Sequence, residues 1–311
     1  MNPYDIYNMS VDRVAHDPET TNFKRLARVH QNKWREKNNL PIGAHDISKK
    51  NEPPLFRPLG SRIDLAYAKQ HHSNFLNDLI WAAVEDRLSN PQEHQTLKED
   101  RLYSDLLSSM PMCFNLFGTL HENLDHANNA VNRWWPDVPG RVCAVHFEWS
   151  PARRKHGLYL ENRSAFDVAF ELNLEDGTRG ILGVETKYHE HCKVETTPPT
   201  NRQTRYTAVT NQSGIFLPEA ITTIFGTDLQ QIWLDHLLAL SLLQEKPAKY
   251  TWSKFVLVHP SKNPSYASAA ERYKKLLTDT SSFCVSTIES LLEKNVLSES
   301  ITTAFRERYL W

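Results

Sequence analysis

From Phe166 to Leu174 the chain alternates. Phe166, Val168, Phe170, Leu172 and Leu174 fall at one parity, and Asp167, Ala169, Glu171 and Asn173 at the other. Period two over nine residues predicts a half-buried strand. Glu175-Asp176-Gly177 reads as a turn, and Gly180–His189 as the returning strand. An earlier strand is predicted over Arg141–Trp149 and a later one over Lys254–His259. Helical spacing predicts a basic helix over 22–38, ended by Asn38-Asn39 and the turn Leu40-Pro41-Ile42-Gly43, and a second helix over 63–88. A third is expected over 97–109, where Pro111 stops or kinks it. Further helices are expected over 228–243 and 268–277, and a short strand with terminal helices over 283–311. Residues 44–61 and 193–214 read as polar loops.

Composition changes this picture little. Of 311 residues, 40% are hydrophobic and 23% charged, the profile of a soluble globular chain with enough apolar material for a packed core. The four cysteines, Cys113, Cys143, Cys192 and Cys284, stand singly, which fits a reducing, cytoplasmic setting. The first residues, MNPYDIYNMSVDRVAHD, lack the basic and apolar blocks of a signal peptide, and no apolar run reaches membrane-spanning length. Net charge is −1, yet residues 22–62 carry ten Lys/Arg against Glu36, Asp46 and Glu52. Lys24, Arg25, Arg28, Lys33 and Arg35 therefore form either a solvated helix face or a phosphate-contacting arm.

The hairpin carries the chemistry. A three-residue loop with glycine in the left-handed conformation pairs Leu174 with Thr178. Carried along both strands, that register sets Asp167 opposite Glu185, and Lys187, two residues on, shares the face of Glu185. Two carboxylates and an ammonium on one polar patch suit a hard divalent cation and a phosphoryl group. Taken alone, Glu-x-Lys is common, and a cross-strand ion pair worth ~0.2–1 kcal/mol would explain it.

The order helix, strand, strand with Asp167 in AFDVAFEL, strand with Glu185-Thr186-Lys187 in GVETKYHE, helix, strand resembles the PD-(D/E)xK nuclease superfamily. KEDRLYSDLLSSMPMCFNLFG, FEWSP and NRSAFDVAFEL also look like an uncharacterised bacterial branch of it. The likeness covers roughly residues 96–260. Phe166 stands where the superfamily's name has proline. The resemblance implies an α/β fold with a restriction-endonuclease-like core, a central mixed sheet flanked by helices. Residues 1–95 would then be an N-terminal helical, partly basic extension, and 96–311 the nuclease-like domain. It further implies hydrolysis of nucleic-acid phosphodiesters with Mg2+ or Mn2+, which Asp167 and Glu185 would hold; it does not identify the polymer, for which DNA is the expectation. Restriction or phage defence, self-assembly and a defence-system partner protein follow only by analogy.

Many such enzymes add a helix acid, and Glu99 is the candidate here, ahead of Asp100 and Asp105. Glu148, ending the first strand, is another possible ligand. Gln231, ahead of Gln230, could contact substrate from the helix after the hairpin. Glu190 reads as a surface residue. Arg153, Arg154, Lys155, Arg163, Arg202 and Arg205 could form a phosphate-binding rim, and Tyr206 could stack on a base. His189-Glu190-His191-Cys192 lacks the second ligand pair of a structural zinc site. No GxSxG or P-loop motif occurs. The rival reading is a nuclease-like fold that senses nucleic acid or nucleotide, or serves as an assembly subunit, without cleaving.

Overall fold

The computed structural model describes residues 22–311 except 47, 49, 50, 94, 96, 156 and 248. The expectation for residues 1–17, and the basic residues Lys49 and Lys50, lie outside the described residues. The chain opens with α1 (Asn22–Lys37) and a two-stranded antiparallel ribbon of β1 (Ile42–Asp46) and β2 (Phe56–Ile63). Next come α2 (Leu65–His71), α3 (Asp78–Ser89), a π-turn (Asp100–Ser104), α4 (Ser109–Phe117) and α5 (Leu124–Trp134). The main sheet follows with β3 (Arg141–Trp149), β4 (Phe166–Asn173) and β5 (Arg179–Thr186). Three helices, α6 (Thr200–Ser213), α7 (Ala220–Ile224) and α8 (Gln230–Leu242), lead to β6 (Trp252–His259) and α9 (Pro264–Lys274). Strand β7 (Phe283–Thr287), α10 (Ile288–Glu293) and α11 (Glu299–Tyr309) end the chain.

Strands β3 to β7 lie in sequence order in one mixed sheet. β3, β4 and β5 pair antiparallel, while β5, β6 and β7 run parallel through helical crossovers. Helices cover both faces, so the inner strands are apolar on both sides. Val168, Phe170, Leu182 and Val184 pack with α4, α5, α10 and α11. Ala169, Ile181, Phe255 and Leu257 pack with α6, α8 and α9.

The stretch expected as an extension shares the core of the sheet. Phe23 and Ala27 of α1, Ile63, Ala68, Phe75 and Ile80 belong to the same packed cluster as Val168 and Val184. Gln31 donates to the hydroxyl of Tyr188 at 3.0 Å and to the carbonyl of Arg308 at 2.6 Å. Arg308 is fully buried in turn, donating to the carbonyl of Asn74 and lying 4.6 Å from the ring of Trp34.

Two stretches expected as loops contain regular structure. Residues 44–61, rich in proline and lysine, contain much of the β1–β2 ribbon. The stretch TNRQTRYTAVTNQS forms α6, which buries only Tyr206, Val209 and Thr210 and so shows little apolar stripe. The helix expected over 97–109 is a single π-turn, and Pro111 lies inside α4, near its start, where a missing N–H is tolerated. The helix over 63–88 is two helices, α2 and α3, each started by a side-chain cap: Asp64 accepts from the N–H of Tyr67, and Asn77 from that of Ile80.

Candidate active site

The turn between β4 and β5 forms as its residues dictate. Leu174 N–H donates to the carbonyl of Thr178, and Gly177 has φ +78°, a conformation that favours glycine. The ladder runs from Asn173↔Arg179 to Val168↔Val184, the expected register. It stops one residue short of Asp167. There the strands part, and Thr186 meets the Asp167 carboxylate: its N–H donates to Oδ2 at 2.8 Å and its hydroxyl to the same oxygen at 2.6 Å.

Phe166 also departs from the alternation. Its ring lies in the cluster of Ala169 and Ile181, stacked between Trp149 and Phe255. It fills the space over Gly183, where an added Cβ would come 2.6 Å from the ring. The glycine admits the aromatic side chain to this face just before Asp167.

Where β4 and β5 part, a polar cavity of about 350 Å³ opens. Asp167, Glu185 and Lys187 all line it, with Glu148, Glu190, Gln231, Arg101 and Tyr266. Lys187 continues the parallel ladder through its N–H to the carbonyl of Val258, and its Nζ lies 2.6 Å from Oε1 of Glu185. Burial disfavours the ammonium, but Glu185, Tyr266, Asp235 and Glu190 outweigh it and hold its pKa well above the usual lysine range. Lys187 is therefore a cation.

The carboxylates feel the opposite balance. Burial, then Asp167, push Glu185 well above the carboxylate range despite Lys187. Burial raises Asp167 as well, against the pull of Lys187 and Thr186. Glu148 is raised to about 7 by burial and the Asp167 charge. The buried thiol of Cys113 senses the same field: after burial, Asp167, Glu148 and Glu185 push it up. Converging, desolvated carboxylates in a polar cavity fit a divalent cation, which would relieve the repulsion. Among the described residues no three His, Cys, Asp or Glu side chains already stand together as a metal cluster. Thr186 and Lys187 hold Asp167 and Glu185 instead.

Of the other expected site residues, Gln231 lines the cavity, 3.4 Å from the hydroxyl of Tyr266. Gln230 is buried and braces the backbone at Thr196 and Gly226. Glu99 does not line the cavity. It is exposed on the lip of the π-turn and ion-paired with Lys69, because the helix expected to aim it inward is not formed. Arg153 is buried beneath the site, bonded to Gln92 and to the carbonyl of Glu148. Arg205 binds Glu245 and the carbonyl of Tyr159, and Arg202 contacts the carbonyl of Leu160. Tyr206 is 4% exposed, edge-on to Trp233 and bonded to Asn162, so its ring has no face to offer a base. Arg154, Lys155 and Arg163 are exposed in the loop between β3 and β4. In α1, Arg35 is buried against the carbonyls of Gly60 and Leu40, while Arg25 and Lys33 are exposed.

Glu190, expected at the surface, lines the cavity. It accepts from Ser109 and from the N–H of Tyr188, both at 2.8 Å. Burial opposes its charge, but His189, Lys187 and the Tyr188 N–H win and lower its pKa to about 2. Asp235, also unforeseen, is raised to about 7 by burial; Lys187 pulls it down and Asp167 pushes it up. Its spacing of four from Gln231 on α8 was the available signal. His189 Nδ1 donates to the carbonyl of Leu107 at 2.7 Å, and Cys192 is a free thiol raised to about 12 by burial.

The model of the PD-(D/E)XK nuclease superfamily matches residues 16–311, and the chain belongs to that superfamily. No curated protein and no solved structure matches it. The mixed five-stranded sheet flanked by helices is the restriction-endonuclease-like fold. No helix among the described residues is long and apolar enough to cross a membrane.

Proposed function

We propose that this protein is a divalent-cation-dependent nuclease that hydrolyses phosphodiester bonds, with DNA as the expected substrate. The observation that carries the reading is the meeting of Asp167, Glu185 and Lys187 at one cavity in a chain of this superfamily. Asp167 and Glu185 would hold Mg2+ or Mn2+. When bound, such a cation supplies a water of lowered pKa and neutralises charge on the phosphoryl group.

The chain's own residues do the rest. Thr186 fixes the Asp167 carboxylate through two donors to one oxygen. Lys187, held as an ammonium, stabilises negative charge developing on the phosphoryl oxygens. Gln231 and Tyr266 present polar groups from α8 and α9, where they orient substrate or the attacking water. Exposed Arg154, Lys155 and Arg163 are candidates for phosphate contacts outside the cavity. A role in restriction or phage defence is consistent with the superfamily and rests on that analogy.

One observation favours the rival, non-cleaving reading: Glu185 is already engaged by Lys187 at 2.6 Å. Incubation with supercoiled plasmid, linear duplex and single-stranded RNA separates the two. A nuclease cuts at least one of them with Mg2+ or Mn2+ and none with EDTA. A sensor retains binding and cuts none under either condition.

A further inference from the structure

Glu148, the penultimate residue of β3, has φ +48°, a left-handed conformation that a non-glycine residue adopts at a cost. Two arginines hold it there. Arg153 Nη2 donates to the Glu148 carbonyl at 2.7 Å, and Arg87 Nη2 lies 3.5 Å from the same oxygen. Both arginines are buried and tied down elsewhere: Arg153 to Gln92 at 2.7 Å, Arg87 to the carbonyl of Asn90 and to Gln95. Their grip is on the main chain. The nearest approach of Arg153 to the carboxylate is 4.0 Å, and among the described residues no hydrogen bond reaches either carboxylate oxygen.

This is an unusual use of two buried cations. A buried carboxylate beside two guanidinium groups would ordinarily be neutralised by a forked pair. Here the donors go to the carbonyl, and the carboxylate is turned into the cavity that Asp167 and Glu185 also line. Its side chain is 19% exposed, so water does not replace the missing donors in full. A cation between the carboxylates would supply what the protein withholds.

We propose that Glu148 is the third carboxylate of the metal centre, and that Arg87 and Arg153 are positioning residues that aim it there through its backbone carbonyl. This rests on the proposed metal site at Asp167 and Glu185. It gives the first strand the part that the sequence suggested for Glu99 on the preceding helix, and it explains why Arg153, basic and near the site, faces inward. It also ties the centre to α3, which contributes Arg87.

Titration of the protein with Mn2+, followed by calorimetry in the absence of substrate, tests this apart from activity. The wild type should bind Mn2+, and Asp167→Asn should abolish binding. Glu148→Gln should weaken it about tenfold or more. Arg153→Gln should weaken it with all three carboxylates intact, and Arg153→Lys, which restores one donor to the carbonyl, should recover part of the loss. Circular dichroism identifies any variant that is unfolded. In that event Glu148→Asp, which keeps the charge and shortens its reach, is compared with wild type for the same loss. Wild-type affinity in folded Glu148→Gln overturns the proposal while leaving the Asp167 site standing. Failure of the wild type to bind Mn2+ overturns both.

Discussion

Thr186 gives both its N–H and its hydroxyl to a single oxygen of Asp167, Oδ2, at 2.8 and 2.6 Å. The residue between Glu185 and Lys187 is thus the clamp for the carboxylate on the neighbouring strand. The x of Glu-x-Lys carries a function because the ladder ends just before it. Thr186→Val keeps the shape and the N–H but removes the hydroxyl donor. We expect affinity for Mn2+ to fall about 10–100-fold with an unchanged circular dichroism spectrum. Wild-type affinity would show that the N–H alone fixes Asp167.

Glu190 is a structural anion at the edge of the site. Its pKa is lowered to about 2 from 4.5, so its stabilisation is present above the unfolded value and is lost as pH falls from about 4.5 towards 2. Glu190→Gln should destabilise the fold by about 1.5–3 kcal/mol at neutral pH, the range for hydrogen bonds to a charged group. Urea denaturation at pH 7 and near pH 3.5 checks this: the gap between variant and wild type should be smaller at the lower pH.

Glu148 has the opposite sign. Its folded-state pKa is raised to about 7 from 4.5, by burial and by Asp167, against the attraction of Arg153, Arg87 and Arg101. Ionising it penalises the folded state. The penalty is absent below about 4.5, grows through the window and is complete above about 7. In EDTA, Glu148→Gln should therefore melt higher than wild type at pH 8, with the gap closing towards pH 5. A gap that is constant across that range would contradict the burial of the ionised form.

Tyr206 tests the boundary between core and rim. With its ring buried against Trp233, Tyr206→Phe should cost about 1 kcal/mol, the value of its bond with Asn162, and leave nucleic-acid binding unchanged. Tyr206→Ala should cost about 3–5 kcal/mol by opening a cavity, taking aromatic truncation as the guide. Weakened binding in the folded Phe variant, read by fluorescence anisotropy, would restore it to the substrate-contacting surface.

Much of the site was legible because it depends on a short, local register. Glu-Asp-Gly closes a three-residue turn, and every pair from Asn173↔Arg179 to Val168↔Val184 follows from it. The alternation failed at Phe166, where a glycine on the next strand lets the ring cross to the other face. Such an exchange is set by a tertiary neighbour and leaves no mark in strand periodicity. Helix α6 was missed for a related reason: its threonines and asparagines have weak helical preference, and packing against α8 supplies what the pattern lacks. Glu190 and Arg153 were misplaced because charge alone suggests exposure, whereas their partners, Ser109 and Gln92, come from distant segments.

The most direct test of the account compares cleavage by wild type, Asp167→Asn, Glu185→Gln and Lys187→Met under single-turnover conditions. Each reaction is run in Mg2+, Mn2+ and EDTA on the preferred substrate. We predict metal-dependent cleavage by wild type, none in EDTA, and a loss of about 100-fold or more in each variant, the scale expected when a group stabilising the transition state is removed. Folding should be retained in all three. Wild-type rates in Asp167→Asn or Glu185→Gln, or cleavage that persists undiminished in EDTA, would contradict the assignment of this cavity as a metal-dependent nuclease site.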